Sequence, residues 1–335
     1  MDKTDLRDRF RPVCWPLAGM AALLALQLVC SPGFFHLDLR DGHVYGSLVD
    51  IVHQGSRVIL LSLGMTLVIA SGGIDLSVGS IMAMAGALAA VLVTTTETPF
   101  VLVLGIPLGL GAAAGLWNGL LVARVGLQPI VATLILMVAG RGIAMLLTGG
   151  RIVTFEHPAL VYLGNGHLFG LPFTFFLVTA ALAATAAGLR WTALGLFLES
   201  VGDNERASRY SGVNTALVKT AVYVVSGAGA ALAGLVSASN IKAADPSRAG
   251  EMMELDAIFA VVVGGTALTG GRFTLLGSLT GALLIQTLTI TLYHLDVTSA
   301  VAPVPKAILV LAVCLLQSPK FRADLTGRFG NRVRA

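Results

Sequence analysis

The 335-residue chain is 56% hydrophobic and only 12% charged, with a net charge of +4 and a mean hydropathy of +0.84. A soluble domain carries about 25% charged residues, so this composition excludes an ordinary soluble fold and predicts an all-α polytopic protein in a lipid bilayer. The cysteines, Cys14, Cys30 and Cys314, lie too far apart for a disulfide framework or a metal site. The basic balance follows from membrane topology, so we expect no nucleic-acid partner.

A charged tail, residues 1–15, precedes the first apolar run. Because no small-residue cleavage site closes that run as in a signal peptide, we predict a retained first span at residues 16–31. A polar loop at 32–57 is predicted next. Since a span needs about 20 apolar residues, we expect about ten transmembrane helices in all. The nine further spans are placed at 56–71, 76–95, 100–122, 129–147, 170–189, 216–238, 255–270, 273–293 and 300–317.

Two of these segments are short and interrupted by glycine. The first ends at Gly72 and Gly73, and the second contains Gly264, Gly265, Gly270 and Gly271. Short, glycine-interrupted segments are typical of broken helices, which tend to line a translocation path. The two glycine patterns also resemble each other, which weakly indicates two related halves.

The distribution of basic residues predicts the orientation, because Lys and Arg are enriched in cytoplasmic segments. With the N-terminus inside and ten spans, most of the 22 Lys and Arg residues are cytoplasmic. We therefore predict one membrane domain, 16–317, with a cytoplasmic loop at 190–215 and a cytoplasmic C-terminal tail at 318–335. The outer loops are then 32–57, 148–169 and 239–256.

The longest polar interruption of the apolar sequence runs from Arg190 to Lys219. Within it, Asp203 or Asn204 can cap a short helix, because a side-chain oxygen there accepts an otherwise unpaired backbone N–H. Glu205 and Arg209 have the spacing of an i,i+4 ion pair, and Gly212 can end the helix. From these residues alone, a solvated loop and a docking surface for a soluble partner both remain open.

Asp75 and Ser77 lie between two long uncharged runs. A charge at the bilayer centre costs about 2.5–3.5 kcal/mol, so we expect Asp75 near a surface, in a cavity or paired. Capping of a broken helix and a place on the translocation path both fit. Trp117, Asn118 and Gln128 are further polar candidates for the path, and helix packing is the alternative for them.

Other spans carry packing signals. Gly111, Gly115 and Gly119 recur every four residues, which predicts close contact with another helix. Pro129 suits the first turn of the next helix, and Arg141, in the outer third of that helix, is expected to snorkel to the surface.

No catalytic set is found in the sequence, which has no P-loop signature, no HExxH and no GxSxG. We therefore predict a transport protein without bound cofactor rather than an enzyme. Scarce intramembrane acids argue against proton coupling, although sodium coupling needs only carbonyls and hydroxyls. A stand-alone secondary transporter or channel remains the alternative.

Several stretches resemble the membrane permease subunits of bacterial sugar ABC importers of the ribose, xylose and galactoside group. They are Gly64-Met65-Thr66 through Gly79, Gln128 through Leu134, Thr192 through Val213 and Gly264 through Arg272. Within that group, residues 134–142, 152–155 and 254–258 resemble permeases of galactofuranose importers.

This resemblance implies a type II ABC importer-like permease fold in the bacterial inner membrane. It implies three partners: a cytoplasmic ATPase that uses ATP and Mg, a second permease, paralogous or identical, and a periplasmic sugar-binding protein. The residues implied to couple the permease to the ATPase are Gly202, Asp203, Asn204, Glu205, Arg206, Ala207, Arg209 and Gly212. One departure is Ser208, where the family often has a second alanine; the helix is expected to tolerate it.

Overall fold

The protein is described by a computed structural model covering residues 3–30, 32–40, 42–298 and 301–317, so the predicted tail at 318–335 lies outside the described residues. The chain is mainly helical. The helices are α1 (Lys3–Cys30), α2 (Ser47–Ala70), α3 (Val78–Thr95), α4 (Phe100–Leu120), α5 (Pro129–Thr148), α6 (Pro158–Asn165), α7 (Phe173–Trp191), α8 (Leu194–Asp203), α9 (Glu205–Tyr210), α10 (Thr215–Ile241), α11 (Met253–Val263), α12 (Leu275–His294) and α13 (Pro303–Gln317). The short strands are β1 (Asp38–Arg40), β2 (His43–Tyr45), β3 (Val153–Thr154), β4 (His167–Leu168), β5 (Leu171–Pro172) and β6 (Ala243–Ala244).

Among the described residues, seven helices are long and apolar enough to cross a membrane. They are α2, α3, α4 with its π-helical extension to Val125, α5, α7, α10 and α12. Shorter apolar helices occupy Cys14–Leu28 and Pro303–Leu315, where the first and last spans are predicted. The helix α11 ends at Val263, well short of the predicted 255–270 span. The prediction of an all-α polytopic protein is therefore confirmed at this level.

The helix α2 corrects the predicted loop at 32–57, because it begins at Ser47. Asp50, His53 and Arg57 belong to its first turns, and His53 Nδ1 lies 3.0 Å from Thr174 Oγ1 on α7. Polar residues in the first turns of a helix give the same low hydropathy as a loop. The rest of the predicted loop includes the hairpin of β1 and β2.

The helix α10 lies at the centre of the fold and packs against α2, α3 and α4. Its contact with α4 is made by the glycines that recur every four residues. A Cβ at Gly115 would lie 2.1 Å from the carbonyl oxygen of Tyr223, and one at Gly111 would lie 2.4 Å from that of Gly227. The two backbones touch, as small-residue spacing predicts.

Candidate functional site

The polar segment after α7 folds into α8 and α9, and the cap of α9 is Asn204. Its Oδ1 accepts a hydrogen bond of 3.0 Å from the amide of Ala207. At the other end, Gly212 has φ +87° and donates to Arg209, while Val213 donates to the carbonyl of Ser208. These two bonds form a Schellman motif, which satisfies carbonyls that the helix leaves unpaired. Local sequence signals therefore define both ends of a six-residue helix.

Glu205 connects α9 to the membrane domain. Its carboxylate lies 3.4 Å from Arg209 and 2.5 Å from Lys219 on α10, which is largely buried. Partial burial would raise the pKa of Glu205, but the hydrogen bond and charge of Lys219, together with the charge of Arg209, lower it overall. The predicted ion pair with Arg209 is present, while Lys219 was not predicted as its partner. The carboxylate thus stays ionised and ties α9 to α10 at neutral pH.

The outward face of this segment is exposed. Tyr210 is 93% and Trp191 86% exposed. Among the residues predicted to couple to an ATPase, those with exposed side chains are Asp203, Asn204, Arg206, Ala207 and Arg209. Exposed aromatics among charged side chains are typical of a protein contact.

We expect Asn204→Ala to loosen α9, because loss of a helix cap costs about 1 kcal/mol. Exchange of the Ala207 amide should then rise about fivefold. Hydrogen–deuterium exchange of the purified protein, followed on the peptide spanning 204–213, measures it. Asn204→Asp keeps an acceptor oxygen and is the matched control. Equal exchange in both variants would contradict a capping role.

The predicted break after α2 and the predicted break between α11 and α12 contact each other and the end of α8. The amide of Gly271 donates to the carbonyl of Ala70 at 2.9 Å. A Cβ at Gly270 would lie 2.9 Å from the carbonyl oxygen of Gly202 and 3.0 Å from the nitrogen of Gly72. We call this contact of three backbone segments, at Ala70–Gly72, Gly202 and Gly270–Gly271, the glycine junction. It joins the α2–α3 break and the α11–α12 break to the polar segment.

The remaining predicted break residues have close contacts or a backbone conformation that suit glycine. A Cβ at Gly73 would lie 2.6 Å from the hydroxyl of Tyr223, and one at Gly264 would lie 2.4 Å from the backbone of Gly277. Gly265 has φ +89°, a conformation that glycine adopts readily.

Three of the predicted path residues form one buried cluster. Asp75 Oδ1 accepts from the amide of Ser77 at 3.0 Å and from its hydroxyl at 2.6 Å. Asp75 Oδ2 accepts from Ser226 Oγ on α10 at 2.9 Å. Asn118 Nδ2 on α4 donates to Ser77 Oγ at 2.9 Å. All four side chains are almost completely buried, so the cluster ties the break after α2 to α4 and α10.

The other two predicted path residues lie outside this cluster. Trp117 is 57% exposed, and Gln128 is exposed at the start of α5. Ser226 was not predicted, because a serine in an uncharged span has no sequence signal of its own.

The segment between α10 and α11, which is predicted to be part of an outer loop, contacts other elements of the bundle. Its first residues form β6, which pairs Ala244 with Val153, shortly after the end of α5. The chain then reaches α3, where a Cβ at Gly250 would lie 2.2 Å from the carbonyl oxygen of Gly79. Arg141 of α5 donates to the carbonyl oxygens of Ser247 and Ala249. Arg141 therefore holds this segment through two backbone carbonyl groups.

Among the described residues, no group of three or more His, Cys, Asp or Glu side chains could hold a metal ion. The polar features described above are an exposed polar segment, a junction of helix breaks and buried hydrogen-bond clusters. Such an arrangement can transmit motion and position a solute, as a transport subunit requires.

Comparison with known proteins identifies similar sequences. Residues 47–316 match the family described as branched-chain amino acid transport system / permease component. The chain is 47% identical to the galactofuranose transporter permease protein YtfT of Escherichia coli, over 97% of this chain and 96% of that protein. It is 36% identical to the fructose import permease protein FruF of Bifidobacterium longum, over 91% and 87%. It is 38% identical to the ribose import permease protein RbsC of Haemophilus influenzae, over 89% and 90%. No solved structure matches significantly.

Proposed function

Because the chain belongs to the family of permease components of branched-chain amino acid transport systems, we propose that it carries galactofuranose through an ATP-driven importer. The observation that carries this proposal is the 47% identity to a galactofuranose permease over 97% of the chain. The family name refers to amino acids, but these three relatives are named for sugars. The chain is a monosaccharide import permease of the bacterial inner membrane, without an ATPase site of its own.

The proposed assembly contains a cytoplasmic ATPase that uses ATP and Mg, a second permease, identical or paralogous, and a periplasmic sugar-binding protein. In this assembly the chain crosses the membrane about ten times in a type II importer-like fold, with both termini in the cytoplasm. The surface around Tyr210 and Arg206 docks onto the ATPase. This is supported by its exposure and by the caps that give α9 a defined shape.

The proposed mechanism needs no chemistry in the membrane. ATP binding closes the ATPase pair and displaces α8 and α9, and the glycine junction passes that displacement to both helix breaks. Trp117 and Gln128, which are exposed, are assigned to the wall of the path between the two permeases. Asp75, Ser77 and Asn118, which are buried, are assigned to the support behind it.

The test is capture of the ATPase and uptake by the reconstituted importer. The variant Glu205→Ala/Arg206→Ala/Arg209→Ala should still insert but lose both ATPase capture and uptake. A matched variant on the opposite side, Arg151→Ala/Glu156→Ala, also changes exposed charges and should retain both. Solute transport by the chain alone under an ion gradient, without any captured ATPase, would instead establish a secondary transporter.

A further inference from the structure

The segment from Asp245 to Met252 lies inside the membrane domain although it is not helical. Arg141 lies in α5, and a rise of 1.5 Å per residue puts it about 10 Å from the C-terminal end of that helix, which the predicted topology places on the outer side. Its guanidinium donates to the carbonyl oxygens of Ser247 and Ala249. Gly250 also touches the second residue of α3, Gly79. This segment, which we call the inner segment, therefore reaches the middle region of the bundle.

The inner segment has a defined shape. Asp245 Oδ1 accepts from the amides of Ser247 and Arg248, at 2.9 and 3.1 Å. The amide of Ala249 donates to the carbonyl of Asp245, and that of Glu251 to the carbonyl of Arg248. Met252 has a positive φ of 61° where α11 begins, a conformation that non-glycine residues adopt only when the surroundings enforce it. The segment is thus a hydrogen-bonded turn with a defined backbone conformation.

Of the four exposed residues of this turn, three have polar side chains and the fourth is Met252. Ser247, Arg248, Glu251 and Met252 are exposed, whereas Ala243, Ala244 and Gly250 are buried. Neither Arg248 nor Glu251 has an ion-pair partner within the described part of the chain. Non-helical backbone at membrane depth is found only where it is buried in protein or lines a water-filled cavity. Charged side chains at that depth likewise face the interior of a bundle or an aqueous path.

We infer that the inner segment lines the translocation path and that Arg248 and Glu251 bind the hydroxyl groups of the sugar as it passes. A guanidinium donates several hydrogen bonds and a carboxylate accepts several, which suits a neutral solute rich in hydroxyls. The contacts with Arg141 and Gly79 fix the position of the segment's backbone. The side chains of Arg248 and Glu251 therefore extend from a backbone of defined position. This inference rests on the proposed import of a monosaccharide, but its first test does not require transport.

The first test is water access from the outer side. In a chain whose native cysteines are replaced by serine, Ser247→Cys and Met252→Cys should react with a charged, membrane-impermeant thiol reagent added to spheroplasts. Glu156→Cys, in the exposed outer region, is the reactive control, and Ala260→Cys, in the buried face of α11, is the unreactive control. If Ser247→Cys and Met252→Cys stay unreactive while Glu156→Cys reacts, the inner segment does not line an aqueous path. The importer function would be unaffected by that result.

The second test is sugar recognition in the reconstituted importer, with labelled galactofuranose, ribose and fructose as probes. Loss of a hydrogen bond to a charged group weakens binding about tenfold, so Glu251→Gln and Arg248→Gln should lower uptake at limiting sugar by about tenfold. ATPase capture should remain, and the ranking of the three sugars should change. Glu156→Gln should behave like wild type. Wild-type half-saturation and ranking in both variants would overturn the contact with sugar, whereas failure of the wild type to import any probe would count against the proposed function.

Discussion

Replacing Gly202 by alanine is expected to lower uptake more than tenfold while the protein still reaches the membrane. A Cβ at this position would lie 1.9 Å from the carbonyl oxygen of Ala70 and 2.4 Å from the nitrogen of Gly271. These two groups are joined by a hydrogen bond of 2.9 Å. Because the obstacles are backbone atoms, no side chain can rotate away to make room. The added methyl group must push α8 away from both helix breaks, at a cost of about 1–3 kcal/mol.

The measurement compares sugar uptake with ATP hydrolysis by the complete importer. We expect the importer with Gly202→Ala to hydrolyse ATP but to take up little sugar for each ATP hydrolysed. The reason is that the separated backbone segments no longer move together. Gly188→Ala is the matched control, because a Cβ there meets no atom within 4 Å. It should import like wild type. Equal uptake by the two variants would show that the close contact at Gly202 does not transmit motion.

The local features of the polar segment could be predicted from the sequence because they depend on residues close in the chain. The cap at Asn204, the ion pair of Glu205 with Arg209 and the terminating Gly212 each join positions within one or two helical turns. Spacing alone determines whether such side chains can meet. The glycine stripe from Gly111 to Gly119 was predictable for the same reason, since its period defines one helix face.

The contacts that make the junction and the buried cluster could not be predicted in this way. Glycines mark the breaks at Gly72 and Gly270, but nothing in their spacing indicates that Ala70 and Gly270 both contact Gly202. Likewise, Ser226 meets Asp75 only because α10 lies at the centre of the bundle. Contacts between distant segments depend on tertiary packing. The spacing of residues and the pattern of charges in a single sequence do not reveal that packing.

Charge caused one error of placement. The first turns of α2 carry Asp50 and Arg57, and hydropathy therefore assigned them to a loop. In a membrane protein, a polar stretch can lie within the bundle when it faces other side chains or water.

Replacing Asp75 by alanine is expected to abolish import, and replacing it by asparagine should preserve much of it. The carboxylate accepts hydrogen bonds from the amide and hydroxyl of Ser77 and from the hydroxyl of Ser226. Alanine leaves these buried donors without an acceptor, at about 1–3 kcal/mol for each unsatisfied group. Asparagine keeps Oδ1 for Ser77, and its amide can donate to Ser226 after the serine hydroxyl rotates.

The comparison of these variants separates the two roles that the sequence left open for Asp75. Uptake by the reconstituted importer is measured together with the midpoint of thermal unfolding in detergent, and Ser226→Ala, which removes one donor, serves as the milder control. If Asp75 supports the helix break through its hydrogen bonds, uptake and unfolding temperature should fall together, most for alanine and least for asparagine. If its charge acts on the translocation path, asparagine should unfold at nearly the wild-type temperature but fail to transport. Wild-type uptake and stability in Asp75→Ala would contradict both roles, because a fully buried carboxylate with three donors would then contribute nothing to the break that it joins to α10.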